Sequence, residues 1–102
     1  MSSITLVVSL WINQLKVSDY EEYERIAAGI MSGYGGRFER IIRLQDQSYT
    51  EMPFEIHIIS FPSEDALQQY RDDPRYRELQ PVRDKLITRT EILSGREIEP
   101  YI

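Results

Sequence analysis

Cysteine is absent from the chain, which excludes disulfides, thiolate nucleophiles and zinc or iron–sulfur sites built on thiolates. Histidine occurs once, at His57. A single imidazole without a second nitrogen or sulfur donor is a poor transition-metal site, so neither a metal nor a cofactor is expected. Lysine is nearly missing: Lys16 and Lys85 stand alone, and almost all positive charge is arginine, whose planar fork suits carboxylates. Positive charge is also in deficit, with 12 Lys and Arg against 17 Asp and Glu and a formal net charge of -5. Phosphate backbones and anionic membranes are repelled by such a surface, so neither nucleic acid nor membrane is an expected partner. Long apolar runs are lacking too. The segment from Ile4 to Ile12 has no basic leader or small-residue cleavage site and is too short to span a bilayer, which leaves a cytoplasmic protein as the expectation. Finally, Gly33, Gly35 and Gly36 follow a helical pattern, whereas phosphate loops place glycines before a helix.

What is present is enough apolar sequence for a real core: 41% hydrophobic with 28% charged over 102 residues, read as one domain spanning 1–102. A chain of this size buries only ~60 to 70% of its unfolded surface, so burial against a partner has value. From Ile4 to Asn13 the apolar residues Ile4, Leu6, Val8, Leu10 and Ile12 alternate with a second set that includes Val7 and Trp11, which predicts a strand. Ser18 and Glu21 have the spacing of a capping box, predicting a helix from Asp19. Tyr20, Tyr23, Ala27, Ile30, Met31 and Tyr34 then recur at three and four, one stripe to lay on a sheet.

The glycines stop that helix, and a second strand begins at Arg37, with Phe38, Ile42 and Leu44 expected on one face, Arg37, Glu39 and Arg43 on the other, and Ile41 breaking the alternation. Gln45 to Met52, closed by Pro53, reads as a hairpin loop. A third strand from Phe54 to Phe61 should place Phe54, Ile56 and Ile58 opposite His57, Ile59 and Phe61, apolar on both sides. Ser63 is a candidate cap for the next helix, Asp73 with Pro74 for another, and Pro81 predicts a kink or restart. The last strand falls at about Thr88 to Ser94.

The order βαββαβ predicts an α+β ferredoxin-like domain, a four-stranded antiparallel sheet in the order 4-1-3-2 with both helices on one face. The first and third strands are then central, and they are the two with large apolar groups front and back. One helical layer covers one face only, so the other is expected to pack on an identical copy, making a homodimer through the open sheet face. Edge strands carrying Arg37, Glu39, Arg43, Arg89 and Glu91 suit that arrangement.

With those residues placed, the chain resembles the domain-of-unknown-function family numbered 1330, within the dimeric α/β-barrel superfamily. The resemblance rests on Tyr20-x-x-Tyr23, Tyr34-Gly35-Gly36-Arg37-Phe38, Phe61-Pro62-Ser63 and Asp73-Pro74-Arg75-Tyr76 with Leu79 and Arg83, in that order, over roughly Ser18 to Leu93. The sequence departs from the family's pattern at Ser60, where an acidic residue is usual, and around Ile42 to Asp46, which lacks glycines. The resemblance implies a barrel made by two sheets and no settled reaction. Relatives in the wider superfamily include cofactor-free monooxygenases, lactone isomerases and haem-handling proteins, a breadth in which fold does not fix function.

His57 is the candidate general base; a packed or interface histidine is the plainer reading. Tyr20, Tyr23, Tyr34, Tyr70 and Tyr76 could line a pocket between helices and sheet, or simply pack. Tyr23, Arg37 and Arg83 are the candidate ligand-binding residues, the guanidiniums as carboxylate forks. Two functions follow: binding of a small aromatic or carboxylate ligand in a cleft between helices and sheet, or a cofactor-independent isomerase or monooxygenase with His57 as base and Arg37 or Arg83 holding an anion.

Overall fold

Two layers, one of sheet and one of helix, make up the computed structural model, which describes residues 3–45 and 51–102. Its strands are β1 (Ile4–Ile12), β2 (Arg37–Arg43), β3 (Glu55–Phe61) and β4 (Ile87–Gly95). The helices are α1 (Val17–Ser32), α2 (Glu64–Asp72), α3 (Pro74–Glu78) and α4 (Gln80–Leu86). All strand pairs are antiparallel and the spatial order is β2-β3-β1-β4, the ferredoxin-like arrangement expected from the order of elements. Most of the predicted loop from Gln45 to Met52 lies outside the described residues.

Alternation in β1 sends Leu6, Val8, Leu10 and Ile12 into the layer between sheet and helices, where all are buried. The α1 stripe of Tyr20, Tyr23, Ala27, Ile30 and Met31 closes over them as the spacing predicts. Ser63 caps α2 by accepting from the Ala66 amide, Asp73 caps α3 by accepting from the Arg75 amide, and Pro74 takes the first turn of α3. The helix restarts at Gln80, just before Pro81, so that the imino nitrogen falls where a helix needs no donor.

Three local expectations are corrected. Ser18 is not the cap of the first helix. Asn13 accepts from the Leu15 amide and starts a tight turn at Gln14–Lys16 that feeds directly into α1 at Val17. The faces of β2 do not alternate throughout, because a bulge between Phe38 and Arg40 inserts Glu39 and reverses the parity. Phe38 therefore pairs with Ile59 on the helix side, while Ile42 pairs with Ile56 on the open side. Phe54 is not on the open face: it precedes β3, its amide donates to the Leu10 carbonyl, and its ring packs edge-on against Tyr20 in the core.

The open face carries Val7 and Trp11 on β1 with Ile56 and Ile58 on β3, all half-buried. Leu93, paired with Val7, and Ile42 are exposed beside them. Trp11 is partly sheltered by the Arg89 guanidinium over its ring and donates to the Glu51 carbonyl.

Candidate functional site

The family-like residues, scattered in sequence, converge at the loop end of the layer. Gly35 adopts a φ of 78° beside the Pro62 ring, and Gly36 lies so close to Met31 and the Phe61 ring that no side chain fits. The Tyr34 hydroxyl donates to buried Asp73 at 2.6 Å, tying the end of α1 to the α2–α3 junction. Two bonds from Arg75 and one from Tyr34 hold the Asp73 carboxyl well below the usual carboxylate range. Phe61, Tyr70 and Tyr76 then stack in sequence, with ring centroids 5.6 and 4.4 Å apart.

That stack forms one wall of a cavity of about 100 Å³ between helices and sheet. Its floor is Leu6, Val8, Leu10 and Ile59; Tyr23, Ala27 and Met31 come from α1, and Arg83 from α4. Exposed Arg71 and Ile92 lie at the rim. Burial pushes the Tyr23 and Tyr70 hydroxyls up, so they remain proton-bearing donors and acceptors at neutral pH.

His57 enters from β3, 2% exposed, with Phe38 edge-on at 5.0 Å. Its partner is Glu55, two residues away and therefore on the same face of the strand. Burial alone would raise the Glu55 carboxyl, but bonds from His57, Tyr20 and Arg43 outweigh it and hold the group at about 2. One oxygen accepts from His57 Nε2 at 2.7 Å and the Tyr20 hydroxyl at 2.8 Å. The other accepts from Arg43 Nε at 2.8 Å and Nη2 at 2.7 Å. An ionised carboxylate only accepts, so Nε2 carries a proton and Nδ1 is the ring nitrogen left for other work.

Glu24, from α1, lines the same cavity, half-buried. Burial raises its carboxyl and the charge of Glu55 adds to that shift, while the Arg83 guanidinium opposes it. No hydrogen bond or ion pair to Glu24 forms among the described residues. Arg83 donates to Thr90 Oγ1 at 2.7 Å, and both line the cavity.

Of the residues singled out from sequence, the fold brings His57, Tyr23 and Arg83 to one cavity and leaves Arg37 out of it. Arg37 stands on the open side of β2, 75% exposed, bonded at 2.8 Å to Glu39, which also accepts from Ser60. Sequence reasoning missed Glu24 and Glu55. Glu24 sits four residues after Tyr20 and three before Ala27, an acid inside the buried stripe, and Glu55 shares the strand parity of His57. Among the described residues no cluster of His, Asp and Glu is arranged to hold a metal ion, and no helix is long and apolar enough to cross a membrane.

A family model described as Domain of unknown function (DUF1330) matches residues 8–95. Among solved structures, a protein of unknown function from Rhodopseudomonas palustris superposes with a TM-score of 0.81 at 16% identity, covering 97% of this chain and 85% of that one. A DABB-family protein with a ferredoxin-like fold from Mesorhizobium loti gives 0.70 at 14%, covering 97% and 100%. SnoaB, a cofactor-independent oxygenase from Streptomyces nogalater, gives 0.73 at 14%, covering 99% and 98%. At such identities the likeness is one of fold. No curated protein matches the sequence.

Proposed function

We propose that this chain, which belongs to the domain-of-unknown-function family DUF1330, works as a homodimer in which each copy binds a small carboxylate-bearing molecule between its helices and its sheet. The observation that carries the reading is the cavity itself, apolar on most sides with Arg83, His57 and three tyrosines converging on it. Its volume of about 100 Å³ is below the ~150 Å³ of an apolar cavity that admits benzene. A compact acid of a few heavy atoms fits as the walls stand. An aromatic acid requires Ile92 and Arg71 to swing from the rim. Arg83 is the anion-binding group of this reading and Tyr23 the hydroxyl beside it, with Arg37 remote from both.

A thermal-shift screen of pyruvate, 2-ketobutyrate, acetoacetate, benzoate and phenylpyruvate tests it. Stabilisation by the small acids that disappears in Arg83→Gln is the expected outcome. No stabilisation by any of the five defeats the reading.

A second reading, a cofactor-independent isomerase or monooxygenase, is favoured by one observation: Glu55 fixes the tautomer of His57 as the orienting acid of a catalytic base does. The structural likeness to a cofactor-independent oxygenase accords with it.

The dimer rests on the open face, where Val7, Trp11, Ile56 and Ile58 are half-buried and Leu93 and Ile42 exposed with no helix over them. A second sheet packed there covers both copies at once and leaves the two cavities on the outer sides. The cytoplasm is the compartment this reading assumes.

A further inference from the structure

The cavity holds more chemistry than binding requires. A ligand-binding site needs Arg83 and its apolar walls; it does not need a carboxyl group from the helical layer and an oriented imidazole from the sheet lining the same space. Taking either group even partly out of water is costly. Glu24 comes from α1 and His57 from β3, so any molecule between helices and sheet lies between the two. Both line the same cavity of about 100 Å³, a space that a single small molecule fills. Their environments also differ: His57 Nε2 is bonded to Glu55, whereas Glu24 has no bonding partner among the described residues.

We propose that Glu24 and His57 are a proton-transfer pair that interconverts keto and enol forms of a small 2-keto or 3-keto acid held by Arg83. The inference rests on the binding reading above and takes isomerisation as the reaction, because a base and an acid on opposite layers of one cavity are the two groups a keto–enol interconversion needs. His57 Nδ1 removes a proton from the carbon beside the carbonyl, and that C–H electron pair becomes the C=C bond. Glu24 gives its proton to the carbonyl oxygen, whose π pair becomes the new O–H bond. The reverse step returns a proton from imidazolium to carbon and the hydroxyl proton to Glu24. Atoms and electrons balance without oxidant, metal or cofactor. Burial favours the protonated form of Glu24, the form the donor step uses, and raises the strength of the hydrogen bond it makes to an enolate oxygen.

The test is deuterium exchange. Pyruvate, 2-ketobutyrate and acetoacetate are incubated with protein in deuterated buffer at neutral pH, and loss of the proton signals next to the carbonyl is followed by NMR. The expected result is exchange above buffer for at least one acid that also stabilises the protein. Glu24→Gln and His57→Gln should each slow kcat by roughly 100-fold or more, the range of general acid–base catalysis, with KM moving about threefold or less. A purely structural Glu24 would instead alter melting temperature and leave kcat in place. Circular dichroism confirms that each variant is folded; if Glu24→Gln does not fold, Glu24→Asp carries the test, since it keeps the acid but withdraws it by one methylene and should lower kcat by an intermediate factor. Stabilisation of the wild type by all three acids without exchange overturns the proposal and leaves the binding reading intact. Exchange that survives Glu24→Gln within threefold overturns it as well. No exchange, together with no stabilisation by any of the five acids of the screen, removes both.

Discussion

Replacing Glu55 by glutamine should cost the protein about 2 kcal/mol at pH 7, and most of that cost should vanish in acid. The carboxylate is 5% exposed and accepts four bonds, from Tyr20, His57 and twice from Arg43. Its pKa falls from 4.5 to about 2, which in full linkage arithmetic is roughly 3 kcal/mol. Water reaches Arg43, whose side chain is 42% exposed, so screening reduces the figure toward about 2 kcal/mol. The sign follows from the direction of the shift. An acid with a depressed folded-state pKa stabilises the fold above its unfolded value and loses that contribution as pH falls through the folded one. The window therefore runs from 4.5 down to about 2, and more than half of the effect is gone by about pH 3. Urea unfolding of wild type and Glu55→Gln, followed by Trp11 fluorescence and circular dichroism at fixed protein concentration, reads the difference at both pH values. Equal stability at pH 7, or a gap that persists unchanged at pH 3, refutes the reasoning.

Other outcomes are equally specific. Gly36→Ala places a methyl 2.5 Å from Met31 Cγ and 2.6 Å from the Phe61 ring, between two packed elements, and should lower stability by about 2 kcal/mol. That corresponds to a fall in melting temperature of roughly 10 °C, and a change under about 3 °C would show that the turn yields easily. Ile58→Glu puts a charge at the centre of the open face. Light scattering should then give a mass near 12.1 kDa for the folded variant against twice that for wild type, and identical masses would remove the open face as the interface. Arg83→Gln should abolish ligand-induced thermal stabilisation while Arg37→Gln preserves it, because only the first guanidinium lines the cavity. The reverse pattern would move the site to the sheet edge.

The architecture was legible because its signals were redundant. Ile4 to Ile12 alternate without a break, the α1 stripe keeps its spacing from Tyr20 to Met31, and two apolar-both-sides strands fit only the central places of a βαββαβ sheet. The misreadings fall where one local signal competed with another. Ser18 and Asn13 are both good capping residues, and nothing in their spacing reveals that the chain turns at Gln14–Lys16 before it becomes a regular helix. The bulge at Glu39 shows in the sequence only as Ile41 breaking the alternation of its strand, and the pairing register locates the reversal between Phe38 and Arg40. Parity misplaces Phe54 because it holds only once the backbone has entered the ladder, one residue later.

The site was harder to read than the fold because its decisive groups are exceptions to the patterns that reveal structure. An apolar stripe is found by collecting apolar residues, so Glu24, occupying a stripe position, drops out of the list that locates its helix face. Glu55 disappears for the opposite reason: at the first position of a strand, next to a loop, an acid looks solvated. Yet each breaks the pattern at a place where burial is costly for a carboxylate. Glu55 recovers that cost through four bonds within the layer. Glu24 has no such return among the described residues; it is half-buried at the cavity, and its carboxyl stays open to water and to whatever enters there. The sequence rule that follows is to ask of every buried-face acid which partner its own element can supply; where the answer is none, the group faces solvent or a ligand.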